Sequence, residues 1–433
     1  MTEPTRVDRL PFVALILPAC FVVEVILGGP FGIYGGISVR FVLLAASCAV
    51  LLMAVLLRGR IEASQVAPIL SIVGFLAVNG VWIAVVPVIA STNMYWSLRE
   101  AHAFIVMVLA VLALALLRRD QLARVVPVLQ QLVVITSVLL AVFQVGIWIL
   151  GTLLGRMEWM VQLALNTIYA GAGDHLKVGP SPDGFYRVFW ISTLWCVLSF
   201  FWTPVAFPES RLRWPIRALL LMDLFVAYSR GIWVGLLIGQ AVVLLTVLTR
   251  RNFRRVLVRS TAIGMVAAAA LFGVLAATGS LQRGVARFES TGSREDQSIS
   301  ERIEQAPYLL RLWYDHPVIG NGYGAYSHAL VRSQEAPYSY EHMAYALLAK
   351  LGILGVLGSG VFLAGWAATA WEARRRAPLQ AGAFLGGGVA LLVSDMTNPL
   401  VLDFVSMSIF ACLLVQWTYL ASLPSPARPS LAG

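Results

Sequence analysis

Long apolar runs, most of them about 18–25 residues, follow one another along almost the whole chain. Each is long enough to cross a hydrocarbon layer about 30 Å thick. Lipid offers no hydrogen-bond partners to an open strand, so a chain that crosses it repeatedly must do so as helices. The runs fall at about 10–28, 38–57, 66–89, 99–117, 125–150, 186–204, 214–228, 231–249, 257–279, 343–370, 378–395 and 400–421. The expectation is an all-α polytopic membrane protein with about twelve transmembrane helices.

Composition agrees. The 433 residues are 59% hydrophobic and 12% charged, about half the charged share of a soluble domain. A net charge of +10 raises the question of nucleic acid. The basic residues, however, come in short clusters between apolar runs, as in a positive-inside membrane protein, so no nucleic-acid partner is expected. Cys20, Cys48, Cys196 and Cys412 all fall inside expected spans. With no Cys-x-x-Cys spacing, neither a disulfide nor a zinc site is expected. The first run lacks a cleavage signal and reads as an anchor.

The arginines orient the chain. Arg6 and Arg9 precede the first span, and Arg58 and Arg60 follow the second. Arg118, Arg119 and Arg124 follow the fourth, and Arg211, Arg213 and Arg217 the sixth. Arg250, Arg251, Arg254, Arg255 and Arg259 follow the eighth, and Arg374, Arg375 and Arg376 the tenth. These even-numbered exits are then cytoplasmic, as are both termini. The organisation expected is helices one to nine over 1–279, a large outer loop over 280–342, helices ten to twelve over 343–422, and a cytoplasmic tail over 423–433. A second outer loop runs from about 156 to 184. Within the large loop Ile303–Trp313 has amphipathic spacing, with Arg302 near the start of that helix and Asp315 near its end.

Several residues stand out for chemistry. Ser229-Arg230-Gly231 breaks two apolar runs with almost no loop. An arginine there costs a few kcal/mol (~3) if left in lipid, so it faces water or an anion, or snorkels as an interfacial anchor. Arg187 lies at the outer mouth of a span, where an anchor is the simpler reading. Arg302 and Arg311 lie in the large loop, where a solvated surface charge is the simpler reading. Together these guanidinium groups crowd the outer face against the positive-inside trend, and their planar donors suit phosphate. Glu341 and His342 stand where the loop enters the tenth span. Either suits a general base; the alternative is a helix-start carboxylate favoured by the helix dipole. The intramembrane acids Glu24, Asp223 and Asp395 form no recurring pattern, which weakens a proton-coupled transporter, and no pseudo-repeat halves are evident.

The run Arg302-Ile303-Glu304, then Leu312-Trp313 and His316-Pro317-Val318-Ile319-Gly320-Asn321-Gly322, resembles the outer-loop signature of the O-antigen ligase/polymerase superfamily. The Ser229-Arg230-Gly231 break resembles a second motif of that family, and Leu347-Leu348-Ala349-Lys350-Leu351-Gly352-Ile353-Leu354-Gly355 a third. The resemblance is specific over about 220–360. It implies a glycosyltransferase C-type helical fold in the bacterial inner membrane with a periplasmic active site. It implies a donor glycan on undecaprenyl pyrophosphate and attack by an acceptor sugar hydroxyl, on a growing glycan or on lipid A-core. No metal or cofactor is implied; the bilayer and other polysaccharide assembly proteins are the remaining partners. By the same resemblance Arg230 and Arg302 hold the pyrophosphate, with Arg187 and Arg311 as further candidates. Ligases of the family carry His-Asn at the start of the third-motif helix. This chain has Tyr340-Glu341-His342-Met343, in which Glu341 matches the register and His342 the residue type. The Tyr-Glu form, with Gly320-Asn321-Gly322-Tyr323-Gly324, looks more like a polysaccharide polymerase than a ligase. A protein-directed oligosaccharide transferase of the superfamily would carry a larger outer domain after the third motif.

Overall fold

The computed structural model describes residues 13–27, 33–34, 37–154, 176–180, 185–247, 297–331, 333–396 and 403–423. The expected span at 257–279, the loop segment 280–296 and the tail after 423 lie outside the described residues. Along the chain run α1 (Ile16–Leu27), β1 (Ile33–Tyr34), β2 (Ile37–Ser38), α2 (Val39–Arg58), α3 (Ala63–Ala84), α4 (Val86–Ile89) and α5 (Met94–Ala101). A 3-10 turn at His102–Ile105 leads into α6 (Val106–Leu116) and the long α7 (Arg119–Leu154). Then come β3 (Leu176–Pro180), β4 (Tyr186–Trp190), α8 (Thr193–Ala206), α9 (Arg213–Val226) and α10 (Arg230–Val247). The last elements are α11 (Gln297–Asp315), α12 (Met343–Ala373), α13 (Pro378–Met396) and α14 (Phe404–Ser422). Among the described residues eight helical segments are long and apolar enough to cross a membrane, so the chain is a multi-pass helical membrane protein.

Two expectations are corrected. The fold is not purely helical: β1–β2 and β3–β4 form two antiparallel hairpins. The run expected as a span from 186 enters its helix only at Thr193. Residues Tyr186–Trp190 pair instead with Leu176–Pro180, Val188 opposite Val178. An apolar run of aromatic and β-branched residues is ambiguous by periodicity, and those residue types favour the strand. Arg187 therefore sits on a hairpin.

Small residues set the packing around the site. α10 lies against α13 so closely that a Cβ on Gly235 would stand 2.4 Å from the Ala390 carbonyl oxygen, and one on Gly239 2.5 Å from that of Gly386. Membrane helices approach this way when small residues line both faces. At one end of the contact the Ser394 hydroxyl, which donates to the Ala390 carbonyl at 2.7 Å, lies 3.4 Å from the Gly231 carbonyl.

α12 is broken at Gly352, which has φ 61° and ψ −172°. The break is filled by the turn after α11. Asn321 and Gly322 donate their N–H groups to the carbonyls of Ala349 and Lys350 at 3.0 and 2.9 Å. Ile353 and Leu354 donate theirs to Pro317 and Val318 at 3.1 and 3.0 Å. Non-helical backbone inside a membrane protein persists where protein partners meet its polar groups, and here one glycine turn does so. A Cβ on Gly320 would lie 2.2 Å from the Lys350 carbonyl oxygen, so the two backbones cross at a distance only glycine allows. The His-Pro-x-x-Gly-x-Gly run is thus a splice that joins α11 to the kink of α12.

Candidate functional site

The splice fixes what stands above it. α11 buries the face that carries Gln305 and Leu309, and Leu309 packs with Tyr340, Met343 and Ala346 at the start of α12. Arg302 is one turn before Gln305 on that face. Its Nε lies 3.5 Å from Oε2 of Glu341, both side chains about a quarter exposed or less. Gln305 is buried, and its Oε1 accepts the backbone N–H groups of Glu341 at 2.9 Å and His342 at 3.4 Å. The first N–H groups of a helix have no intrahelical acceptor; this helix obtains one from α11. Arg302, Glu341 and His342 are thereby held in one cluster.

His342 is the N-cap residue of α12. Its ring centroid lies 4.2 Å from that of Tyr345, and Nδ1 makes no hydrogen bond to any described residue. Burial, and next the Arg302 guanidinium, hold the imidazole below its ordinary pKa. A cation beside an imidazole disfavours the imidazolium, so His342 is neutral near pH 7 and has a lone pair to accept a proton.

The second cluster surrounds the α9–α10 break. Tyr228 has φ 54°, a left-handed conformation that costs an aromatic residue about 1–3 kcal/mol. Packing holds it there: its ring lies flat on Phe185, centroids 4.0 Å apart. Trp233 also donates from Nε1 to the Leu224 carbonyl at 3.0 Å. Arg187 donates from Nε to the Ala227 carbonyl at 2.9 Å, with its guanidinium 4.9 Å from the Phe189 ring. Arg230, partly exposed, is the first residue of α10, where the unpaired N–H groups of a helix already favour an anion.

A cavity of about 250 Å³ lies within the helix bundle. Its walls are almost wholly apolar and come from α3, α12, α13 and α14, with Phe104 of the 3-10 turn and Tyr323 of the glycine turn. Leu347 and Leu351 of α12, below His342, face it together with Asp395 and Met396 of α13. Ser394 of the same turn lies 3.4 Å from the Gly231 carbonyl, beside the Arg230 break.

Arg302, Glu341 and His342 come together as the sequence suggests, and Arg187 joins Arg230 around the α9–α10 break. Arg311 does not join either group. It is exposed and nine residues beyond Arg302, about two and a half turns at ~3.6 residues per turn, which puts it on the opposite face of α11. Sequence reasoning missed Gln305, though its i+3 spacing from Arg302 marks a shared face. It also missed the buried pair of Glu100 and Lys350, 2.5 Å apart. The signal was Lys350, a single charge inside an apolar run that calls for a buried counter-charge.

A multi-pass helical membrane protein that gathers a guanidinium group, a carboxylate and an imidazole at the start of one helix has the groups to bind an anion and to move a proton. Residues 216–360 match the family model described as O-antigen ligase. The match bears out the resemblance to the O-antigen ligase/polymerase superfamily and contains Arg230, Arg302, Glu341, His342 and the glycine splice. No curated protein matches the chain.

Proposed function

We propose that this protein is a glycosyltransferase of the bacterial inner membrane, with its active site on the periplasmic side and both termini in the cytoplasm. It transfers a glycan from an undecaprenyl-pyrophosphate donor to a sugar hydroxyl and polymerises the repeat units of a surface polysaccharide. The observation that carries the reading is the Arg302–Glu341–His342 cluster within the segment that matches the O-antigen ligase family.

Each part of the cluster has a task in that reaction. The anomeric C–O bond to pyrophosphate breaks as the acceptor oxygen bonds to the same carbon, and negative charge builds on the leaving group. Arg302, and Arg230 at the α10 N-terminus, are the groups that bind that charge most strongly as it forms, which is where binding accelerates a reaction. Arg187 steadies the α9–α10 break and is the further candidate for the same anion. His342 takes the acceptor hydroxyl proton, since its imidazole is neutral and Nδ1 has no other partner among the described residues. Glu341 is occupied with Arg302 and aims that guanidinium. The cavity beneath has the apolar lining that an isoprenoid chain needs.

The test uses purified protein and an undecaprenyl-pyrophosphate-linked repeat unit with no other acceptor. A ladder of longer lipid-linked chains is the expected product. Transfer only when lipid A-core is added would make the protein a ligase. Absence of both, in folded protein, would defeat the transferase reading and return a transporter to consideration.

A further inference from the structure

Beside the site, an exposed set of rings is fixed to the same backbone. Tyr95 and Trp96, in the first turn of α5, lie with centroids 4.8 Å apart. Trp96 meets Tyr338 of the loop before α12, centroids 6.0 Å apart. Arg99, one turn along α5, places its guanidinium 5.5 Å from the Trp96 ring and 6.0 Å from the Tyr95 ring. Its Nη1 donates to the Tyr95 hydroxyl at 3.2 Å. Tyr95 is 59% exposed, and Trp96 and Tyr338 are half-buried.

These rings come from segments distant in sequence, yet one buried side chain holds both. Lys350 Nζ donates to the Tyr338 carbonyl at 2.8 Å and pairs with Glu100 of α5. Glu100 also accepts the Gly324 N–H at 2.6 Å, and Thr92 donates to the Asn321 carbonyl at 2.7 Å. A Cβ on Gly324 would lie 2.2 Å from the Ser97 nitrogen, so α5 is seated directly on the splice. Tyr338 precedes Glu341 by three residues, a reach of at most about 11 Å.

Rings that anchor a protein at the membrane interface need only one apolar end and one wet end. They do not need a guanidinium among them, nor a buried ion pair fixing their mutual position. A sugar needs both: the C–H face of a pyranose lies on the electron-rich face of an aromatic ring, and planar donors take its hydroxyl or carboxylate groups. Burial, and next the charge of Glu100, push the Tyr338 phenol up to about 12, so its hydroxyl remains a donor.

We propose that Tyr95, Trp96, Arg99 and Tyr338 form a carbohydrate-binding platform that holds the acceptor glycan against Glu341 and His342. The acceptor role rests on the transferase reading; the binding itself does not. The experiment is saturation-transfer NMR on the detergent-purified full chain. The probe is oligosaccharides released from the surface polysaccharide of the source bacterium, free of lipid, at millimolar concentration. Wild type, Trp96→Phe and Arg302→Ala are expected to transfer saturation to the sugar protons. Trp96→Ala and the exposed Tyr95→Ala are expected to lose most of the signal while keeping the thermal transition of wild type. In the transfer assay Tyr95→Ala is expected to raise the acceptor KM about tenfold, with kcat within twofold. No signal from wild type, undiminished signal in both alanine variants, or equal loss in Arg302→Ala would overturn the platform. Binding with this pattern in a protein that transfers nothing would leave the platform standing and remove the transferase reading.

Discussion

Gln305 on α11 accepts the backbone N–H of Glu341 at 2.9 Å, through the same side-chain oxygen that accepts from His342. One buried amide thus registers the helix bearing Arg302 against the helix capped by His342. Gln305→Leu leaves two N–H groups without that acceptor, at a cost of about 1–3 kcal/mol, and frees the two helices to shift. A misplacement near 1 Å costs roughly a hundredfold in rate. We expect kcat to fall by about ten- to a hundredfold in Gln305→Leu and to recover substantially in Gln305→Glu, which keeps the acceptor oxygen at a helix N-terminus that favours negative charge. Equal kcat in Gln305→Leu and wild type would show that this registration is irrelevant to turnover.

The pH dependence follows from His342. Its folded pKa lies below the ordinary imidazole value, from burial and then from Arg302. If His342 is the base it is active when neutral, so kcat/KM is expected to rise with pH with its midpoint below the ordinary value of about 6.5. Stability follows the same sign. The unfolded chain binds this proton more readily, so the His342 contribution is full above the unfolded pKa and is lost as pH falls toward the folded one. The check is a rate profile beside an imidazole NMR titration of wild type and Arg302→Gln. Removing the guanidinium is expected to raise the His342 pKa; an unchanged titration would sink the proposed coupling.

Glu341 and His342 separate by kinetics. If His342 is the base and Glu341 aims Arg302, His342→Ala abolishes transfer, with a loss of about 100- to 10,000-fold. Glu341→Gln keeps a partner for Arg302 and loses about tenfold or less. Arg302→Lys keeps the charge and loses the planar fork, and is expected to resemble Arg302→Ala more than wild type. Single-turnover rates on a lipid-linked donor measure all three. The reverse ranking of Glu341→Gln and His342→Ala would move the base to Glu341, the residue that the family register favours.

Much of the bundle is legible in the sequence because one force dominates it. Runs such as 38–57 and 343–370 are apolar throughout, and the helices Val39–Arg58 and Met343–Ala373 follow within a few residues. The misreading at Tyr186–Trp190 comes from the same source: where every residue but Arg187 is apolar, hydropathy no longer separates strand from helix. Arg302 and the pair Glu341–His342 are visible as charges at a loop–helix boundary. Gln305 and Glu100 are not, because their importance lies in partners 36 and 250 residues away. The α12 kink was hidden for a related reason. Gly352 sits in an unremarkable apolar run, and only the fit of Gly320 against it shows that the helix must open there.

The buried pair of Lys350 and Glu100 gives the last test, because its removal has opposite signs depending on how it is made. Their side chains are 2% and 6% exposed, and each makes a further bond, to the Tyr338 carbonyl and the Gly324 N–H. Removing one partner leaves a buried charge uncompensated, which costs about 3–5 kcal/mol. Lys350→Met and Glu100→Leu are therefore each expected to lower the thermal transition clearly. An apolar pair of similar volume avoids that cost, so the double variant is expected to regain most of the loss. It still frees the Tyr338 carbonyl and the α5 carboxylate contact, so stability returns without the alignment of α5 and the loop before α12. The double variant is thus expected to be folded yet slow in transfer, with the defect in acceptor KM. A thermal transition that falls further in the double variant than in either single one would show that the two charges are compensated elsewhere.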